Sequence, residues 1–186
     1  MTLATVSNTA LLFLDLQDEI IKNSRTQPAD RVLKAAGVLA KLGALHGLPT
    51  FLSAVGVGGA FAEAVTGPLG GPEPFFRTQT SAFADPALVD ALKASGRKVL
   101  VLAGVASEIV VQRTALHAVE AGYAVQIAVD ACGGVDPRTE DAAWRRLTAA
   151  GAAATSSITL CADLAGDFTT PSGGATLGLM YEALGA

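Results

Sequence analysis

Cysteine is scarce: 186 residues contain two, Cys132 and Cys161. Their wide separation excludes a disulfide framework and offers no metal-ligand spacing, which suits two free thiols in a reducing compartment. Positive charge is short as well, with 13 Lys and Arg against 17 Asp and Glu, a net charge of -4 and a pI near 5.1. Nucleic-acid-binding domains carry a clustered basic excess, and none is present, so no nucleic-acid partner is expected. Long apolar runs are missing too. The first is broken by Asp15, and the residues before it lack a basic segment, which argues against a membrane span or a signal peptide and for the cytoplasm. Histidine occurs twice, His46 at a helix end and His117 on a helix among small residues; with no clustered partners, both read as surface or packing groups.

What remains is 51% hydrophobic and 16% charged residues, too apolar for a disordered chain. The length suits one domain over residues 1–186, with 167–186 as a tail or a docking helix. Aliphatic, β-branched runs alternate with longer segments of helical period, which predicts an α/β, three-layer Rossmann-like fold: a mostly parallel six-stranded sheet with helices on both faces. Strands are expected over 10–16, 50–54, 75–78, 99–103, 124–129 and, weakly, 152–156. Helices are expected between about residue 32 and Gly47, over 85–94 with Pro86 in the first turn, over 108–121, over 137–150 and around Cys161, with a last short one over 175–184 after a linker at 167–174. The glycine- and proline-rich loop 55–74 is expected to carry specificity, since long loops in compact domains are often functional.

In such a sheet, ligands sit beyond the carboxyl ends of the strands, where the first turn of the following helix points its amides into a crevice. Two segments fit that place. Asp15 stands at the end of the first strand, with Gln17 and Asp18 just beyond. The strand ending at Gly104 runs directly into a helix whose first turn holds Val110, a residue that can neither attack nor exchange a proton. Trp144 reads as a core anchor with basic neighbours Arg145 and Arg146.

Leu12-Phe13-Leu14-Asp15-Leu16-Gln17, then Arg77 to Phe83, then Ala103-Gly104-Val105-Ala106-Ser107-Glu108-Ile109-Val110-Val111, then Ala118 to Tyr123 and Val129-Asp130-Ala131, together resemble the isochorismatase-like, or cysteine hydrolase, superfamily over about residues 9–165. The segments Asp141 to Trp144 and Leu160 to Leu164 look closest to its YcaC-like branch. The resemblance implies a triad of aspartate, lysine and cysteine, in which the aspartate is the general base and the cysteine forms a covalent intermediate. Those positions fall on Asp15, Arg77 and Val110, so only the aspartate is retained. It also implies a substrate cradle of backbone amides at Val105, Ala106 and Ser107, next to a Val105–Ala106 peptide that is cis in many relatives. Ser107 matches a turn residue of the family, and Cys132 and Cys161 match packing positions, Cys132 following the fifth strand. Residues 52–59, where nicotinamidases of the superfamily hold a metal, contain no His, Cys, Asp or Glu, so no metal and no cofactor is implied.

Two functions are consistent with this pattern. The first is a hydrolase of unknown small-molecule substrate that does without thiol-based amide hydrolysis and relies on Asp15. Isochorismatases of the superfamily, which cleave a vinyl ether with a small residue at the cysteine position, are its precedent. The second is a catalytically silent relative that binds a small anion near Arg77 and the helix N-terminus, or serves in assembly. The resemblance implies a homo-oligomer in either case, with the apolar segment 177–181 as a contact.

Overall fold

The apolar run from Thr9 to Leu14 is buried along its whole length, yet its side chains part company residue by residue. Leu11 and Phe13 enter one core with Leu39, Leu42, Leu160 and Cys161, while Ala10, Leu12 and Leu14 enter another with Leu88, Leu92, Val111 and Leu147. This period of two is what an extended strand imposes. A strand apolar on both sides belongs in the middle of a sheet covered twice.

The computed structural model, which describes residues 2–185, places it there. The strands β1 (Thr9–Leu14), β2 (Thr50–Val55), β3 (Phe75–Arg77), β4 (Val99–Val105), β5 (Ala124–Gly133) and β6 (Ala153–Thr155) form one sheet in the order β3-β2-β1-β4-β5-β6. The expected sheet was mostly parallel; every pairing is parallel. Seven helices are present among the described residues: α1 (Ala29–His46), α2 (Glu63–Thr66), α3 (Pro86–Ala94), α4 (Gln112–Glu120), α5 (Pro137–Ala149), α6 (Ser157–Ala165) and α7 (Pro171–Leu184). Buried residues of α1, α2 and α6 pack on one face of the sheet, and those of α3, α4 and α5 on the other. None is long and apolar enough to cross a membrane.

Local chemistry explains most boundaries. Asp85 and Asp136 cap α3 and α5, accepting from the amides of Ala87 and Arg138 at 2.9 Å each, with a proline next in both cases. Gly47 ends α1 in the left-handed conformation, φ 62°. Where the structure departs from expectation, tertiary contacts decide. β5 runs four residues past Val129, because its pairing with β4 jumps from Leu102↔Ile127 to Gly104↔Cys132. Cys132 therefore lies within the strand. The displaced residues free Asp130, whose carboxylate accepts from the Ser157 amide at 2.9 and 3.0 Å and from its hydroxyl at 2.5 Å, at the start of α6.

The last linker is shorter than expected. Thr170 caps α7, which begins at Pro171, and its glycines 173 and 174 are helical. A Cβ on Gly173 would lie on the Asp167 carbonyl, so those glycines serve close packing and not a loop. Leu179, Met180 and Ala183 dock α7 on its own subunit, helped by Lys41–Glu182 at 2.6 Å and His46–Thr176 at 2.8 Å. Trp144 is half-buried against the α4–α5 side.

Candidate functional site

β1 and β4 are neighbours, but the chain leaves them toward opposite halves of the sheet, so a crevice opens beyond their carboxyl ends. Gly104 sets how close the two strands come. A Cβ there would stand 2.2 Å from the Leu14 carbonyl oxygen and 2.7 Å from the Leu14 Cβ, which no side chain tolerates.

Asp15 follows Leu14 with φ 53°, a left-handed conformation that aspartate accepts more readily than most residues, and its amide donates to the Ser53 carbonyl at 3.0 Å. This turn aims the carboxylate across β2 at β3, where Arg77 ends the strand. The guanidinium grips it with both arms: Nη1 donates to Oδ1 at 2.7 Å and Nη2 to Oδ2 at 2.5 Å. Nη1 also donates to Ser53 Oγ at 3.1 Å, while the buried Nε has no protein partner. The side chains of Arg77 and Asp15 are 3% and 8% exposed, so the pair is a desolvated, bidentate ion pair built from three adjacent strands.

The opposite wall is supplied by β4 and the turn beyond it. The Val105–Ala106 peptide is cis. A helix was expected from residue 108 onward; the structure opens it with one π-helical turn, Ser107–Val111, in which the Val111 amide reaches back to the Ala106 carbonyl at 3.3 Å, and α4 starts only at Gln112. The β-branched run Ile109-Val110-Val111 resists the tighter α-turn, and such wide turns recur at functional sites.

Between these walls lies a cavity of about 480 Å³, lined by Asp15, Arg77, Val105, Ala106 and Val110 among others. Sequence reasoning had singled out all five. Val110 is 2% exposed. Ser107 does not line the cavity; its hydroxyl donates to Glu140 Oε1 at 2.6 Å. Cys132 and Cys161 are buried elsewhere, and burial pushes the thiols up to about 12 and about 11 respectively, so both stay protonated at neutral pH. His117 bonds Ser81 Oγ at 2.9 Å, away from the cavity lining. Among the described residues, no cluster of three or more His, Cys, Asp or Glu could hold a metal ion.

Gln17 faces away from the cavity. Its amide donates to the carbonyls of Val55 at 3.0 Å and Gly59 at 2.8 Å and accepts from the Val55 amide at 3.0 Å, splinting the start of the long loop to β1. That loop contributes less to the cavity than expected: of residues 55–74 only Val55 lines it, and eight others border a separate groove. The rim comes instead from Ile20, Asn23, Thr78, Gln79, Thr80, Ile109 and Val135. Ser53 had a signal in the sequence, as the one polar residue near the end of an apolar strand. The rim residues had only their position past strand ends.

A parallel sheet with helices on both faces, and a crevice where its strand order reverses, places the chain among doubly wound α/β proteins. The chain belongs to the isochorismatase family, whose domain matches residues 9–159. It is 30% identical over 158 residues to the probable hydrolase YcaC of Escherichia coli K12, covering 78% of this chain and 72% of that protein. An uncharacterised isochorismatase family protein, YecD of Escherichia coli O157:H7, is 32% identical over 148 residues, covering 67% of this chain and 79% of that one. YcaC from Pseudomonas aeruginosa, solved with hexane-2,5-diol and covalent acrylamide, superposes with a TM-score of 0.89 at 28% identity, over 99% of this chain and 94% of that one. The Escherichia coli YcaC gene product, an octameric hydrolase of unknown specificity, gives 0.90 at 25% identity, over 98% and 91%.

Proposed function

We propose that this protein is a hydrolase-like member of the isochorismatase family that binds a small molecule between Asp15, Arg77 and the turn after β4, and that performs no thiol-based amide hydrolysis. One observation carries the reading. The side chains that line the cavity from the helix-initiating turn are Ile109 and Val110, neither of them a nucleophile, while both thiols are buried outside the lining and protonated. Without a thiolate there is no thioacyl intermediate. The triad positions are then Asp15, Arg77 and Val110, with the backbone of Val105 and Ala106 as the cradle for a substrate oxygen and Ser107 holding the turn to α5.

The remaining chemistry rests on Asp15. Arg77 engages both of its oxygens, so a proton abstracted by Asp15 must use the lone pairs that the guanidinium leaves open. That closed pair favours a second reading, a silent binding protein in the same fold. We assign the chain one domain, a cytoplasmic location and a homo-oligomeric state, the last in keeping with the octamer of the Escherichia coli relative.

Acrylamide provides a direct test, since the Pseudomonas relative carries it covalently and it adds to nucleophiles. Intact-mass spectrometry of the native protein at neutral pH should show no adduct, whereas Val110→Cys should gain one. An adduct on the native chain that maps to the crevice would overturn the absence of a nucleophile. To separate the two readings, wild type and Asp15→Asn are incubated with small amides, ureides and vinyl ethers. Turnover that Asp15→Asn abolishes establishes the enzyme. Undisturbed ligand binding without turnover establishes the silent binder.

A further inference from the structure

We infer that the crevice selects an uncharged ligand, with an apolar body and one hydrogen-bonding head, and that mutual neutralisation of Asp15 and Arg77 enforces this choice. The inference rests on the crevice being the ligand site and gives that site a substrate class. Of its lining residues, only Asp15 and Arg77 carry charge, and each is closed on the other at 2.5–2.7 Å. The anion expected from an arginine beside a helix N-terminus therefore finds its counter-charge already taken.

The surroundings give an ion no substitute. Ile20, Val55, Val105, Ile109, Val110 and Val135 make an apolar wall, which raises the cost of desolvating any net charge. Asn23, Thr78, Gln79 and Thr80 at the mouth are exposed and uncharged. Glu108, Arg113 and Arg146 border a neighbouring groove and are of mixed sign. What the crevice does offer suits a neutral head group. The turn after the Val105–Ala106 peptide presents the partial positive charge of a helix start, enough for a carbonyl or hydroxyl oxygen. A cavity of about 480 Å³ holds a molecule the size of a substituted benzene ring.

Three probes of one shape and different charge test this: benzamide, benzoate and benzylammonium, titrated by ligand-observed NMR at low salt. Benzamide should bind wild type at least about tenfold more tightly than either ion. Asp15→Asn keeps the shape but unmasks Arg77, and should raise the ratio of benzoate to benzamide affinity about tenfold. Arg77→Gln, with its fold checked by circular dichroism, should move the preference toward benzylammonium and provides the reversal if Asp15→Asn does not fold. Thr80→Trp at the exposed mouth locates the site by weakening every probe. Benzoate binding wild type as tightly as benzamide, with both sensitive to Thr80→Trp, overturns the charge selection and leaves the crevice reading standing. Absence of binding by all probes, or binding that Thr80→Trp does not touch, overturns the crevice reading and this inference with it.

Discussion

The exits of β1 and β4 lie side by side at the carboxyl end of the sheet's centre and solve opposite problems. The β1 exit bends at a left-handed Asp15 and invests in charge: a carboxylate, a guanidinium from β3 and a serine from β2 satisfy one another with little solvent. The β4 exit keeps a backbone frame, with Gly104 against Leu14, a cis peptide and a π-turn, and fills it with aliphatic side chains. Frame and reactive group are thus separable. The turn after β4 presents a valine, Val110, to the cavity.

The largest effect should come from making the first exit half as apolar as the second. Arg77→Met strands the Asp15 carboxylate without its partner and should cost about 3–5 kcal/mol in urea unfolding. Converting both, Asp15→Leu with Arg77→Met, should recover most of that loss, because a matched apolar pair needs no desolvation of charge. A double variant no more stable than the single would mean that the left-handed turn, and not the ion pair, dominates there. Next is the frame itself. Gly104→Ala drives a Cβ into the Leu14 carbonyl and should cost about 3 kcal/mol by the same measurement, through forced separation of β1 and β4.

The smallest effect concerns Cys132, paired with Gly104 across β4 and β5. Its thiol is raised from its ordinary 9.0 to about 12 by burial, with Glu140 and Asp130 adding to the shift against a lowering hydrogen bond at Gly104. The native state therefore holds a proton that the unfolded chain releases. The stabilisation is complete below pH 9 and is lost as pH rises from there toward 12. At pH 10 wild type should have lost about 1 kcal/mol relative to Cys132→Ala, compared by urea unfolding at pH 8 and pH 10. Equal losses in both proteins would show that other groups govern alkaline unfolding.

These regions also differed in how much of them could be read from the chain. Asp15 was found because it ends an apolar strand and Val110 because it stands in the first turn after one, since strand ends converge in a parallel sheet; Arg77 was marked only by the family resemblance. The start of α3 was equally plain, marked by Pro86 in its first turn. Less visible were features set by particular backbone contacts. The longer β5 depends on its slipped register with β4, and the π-turn on a backbone bond from Val111 to Ala106. The early start of α7 depends on a glycine pressed against Asp167. Ile20, Asn23 and residues 78–80 reach the cavity because β3 and β1 flank β2, an order that no local pattern encodes.

The contact at Gly104 bears on how such a crevice can diversify. Since the backbones of β1 and β4 already meet without room for a methyl group, the spacing between the charged floor and the opposite wall behaves as a fixed dimension, preorganised by the scaffold. Variation that retunes recognition is then channelled into the mouth, at Asn23, Thr78, Gln79 and Thr80, whose exposed side chains can be exchanged at little cost in stability. The molecule resembles a lock with a rigid barrel and interchangeable pins.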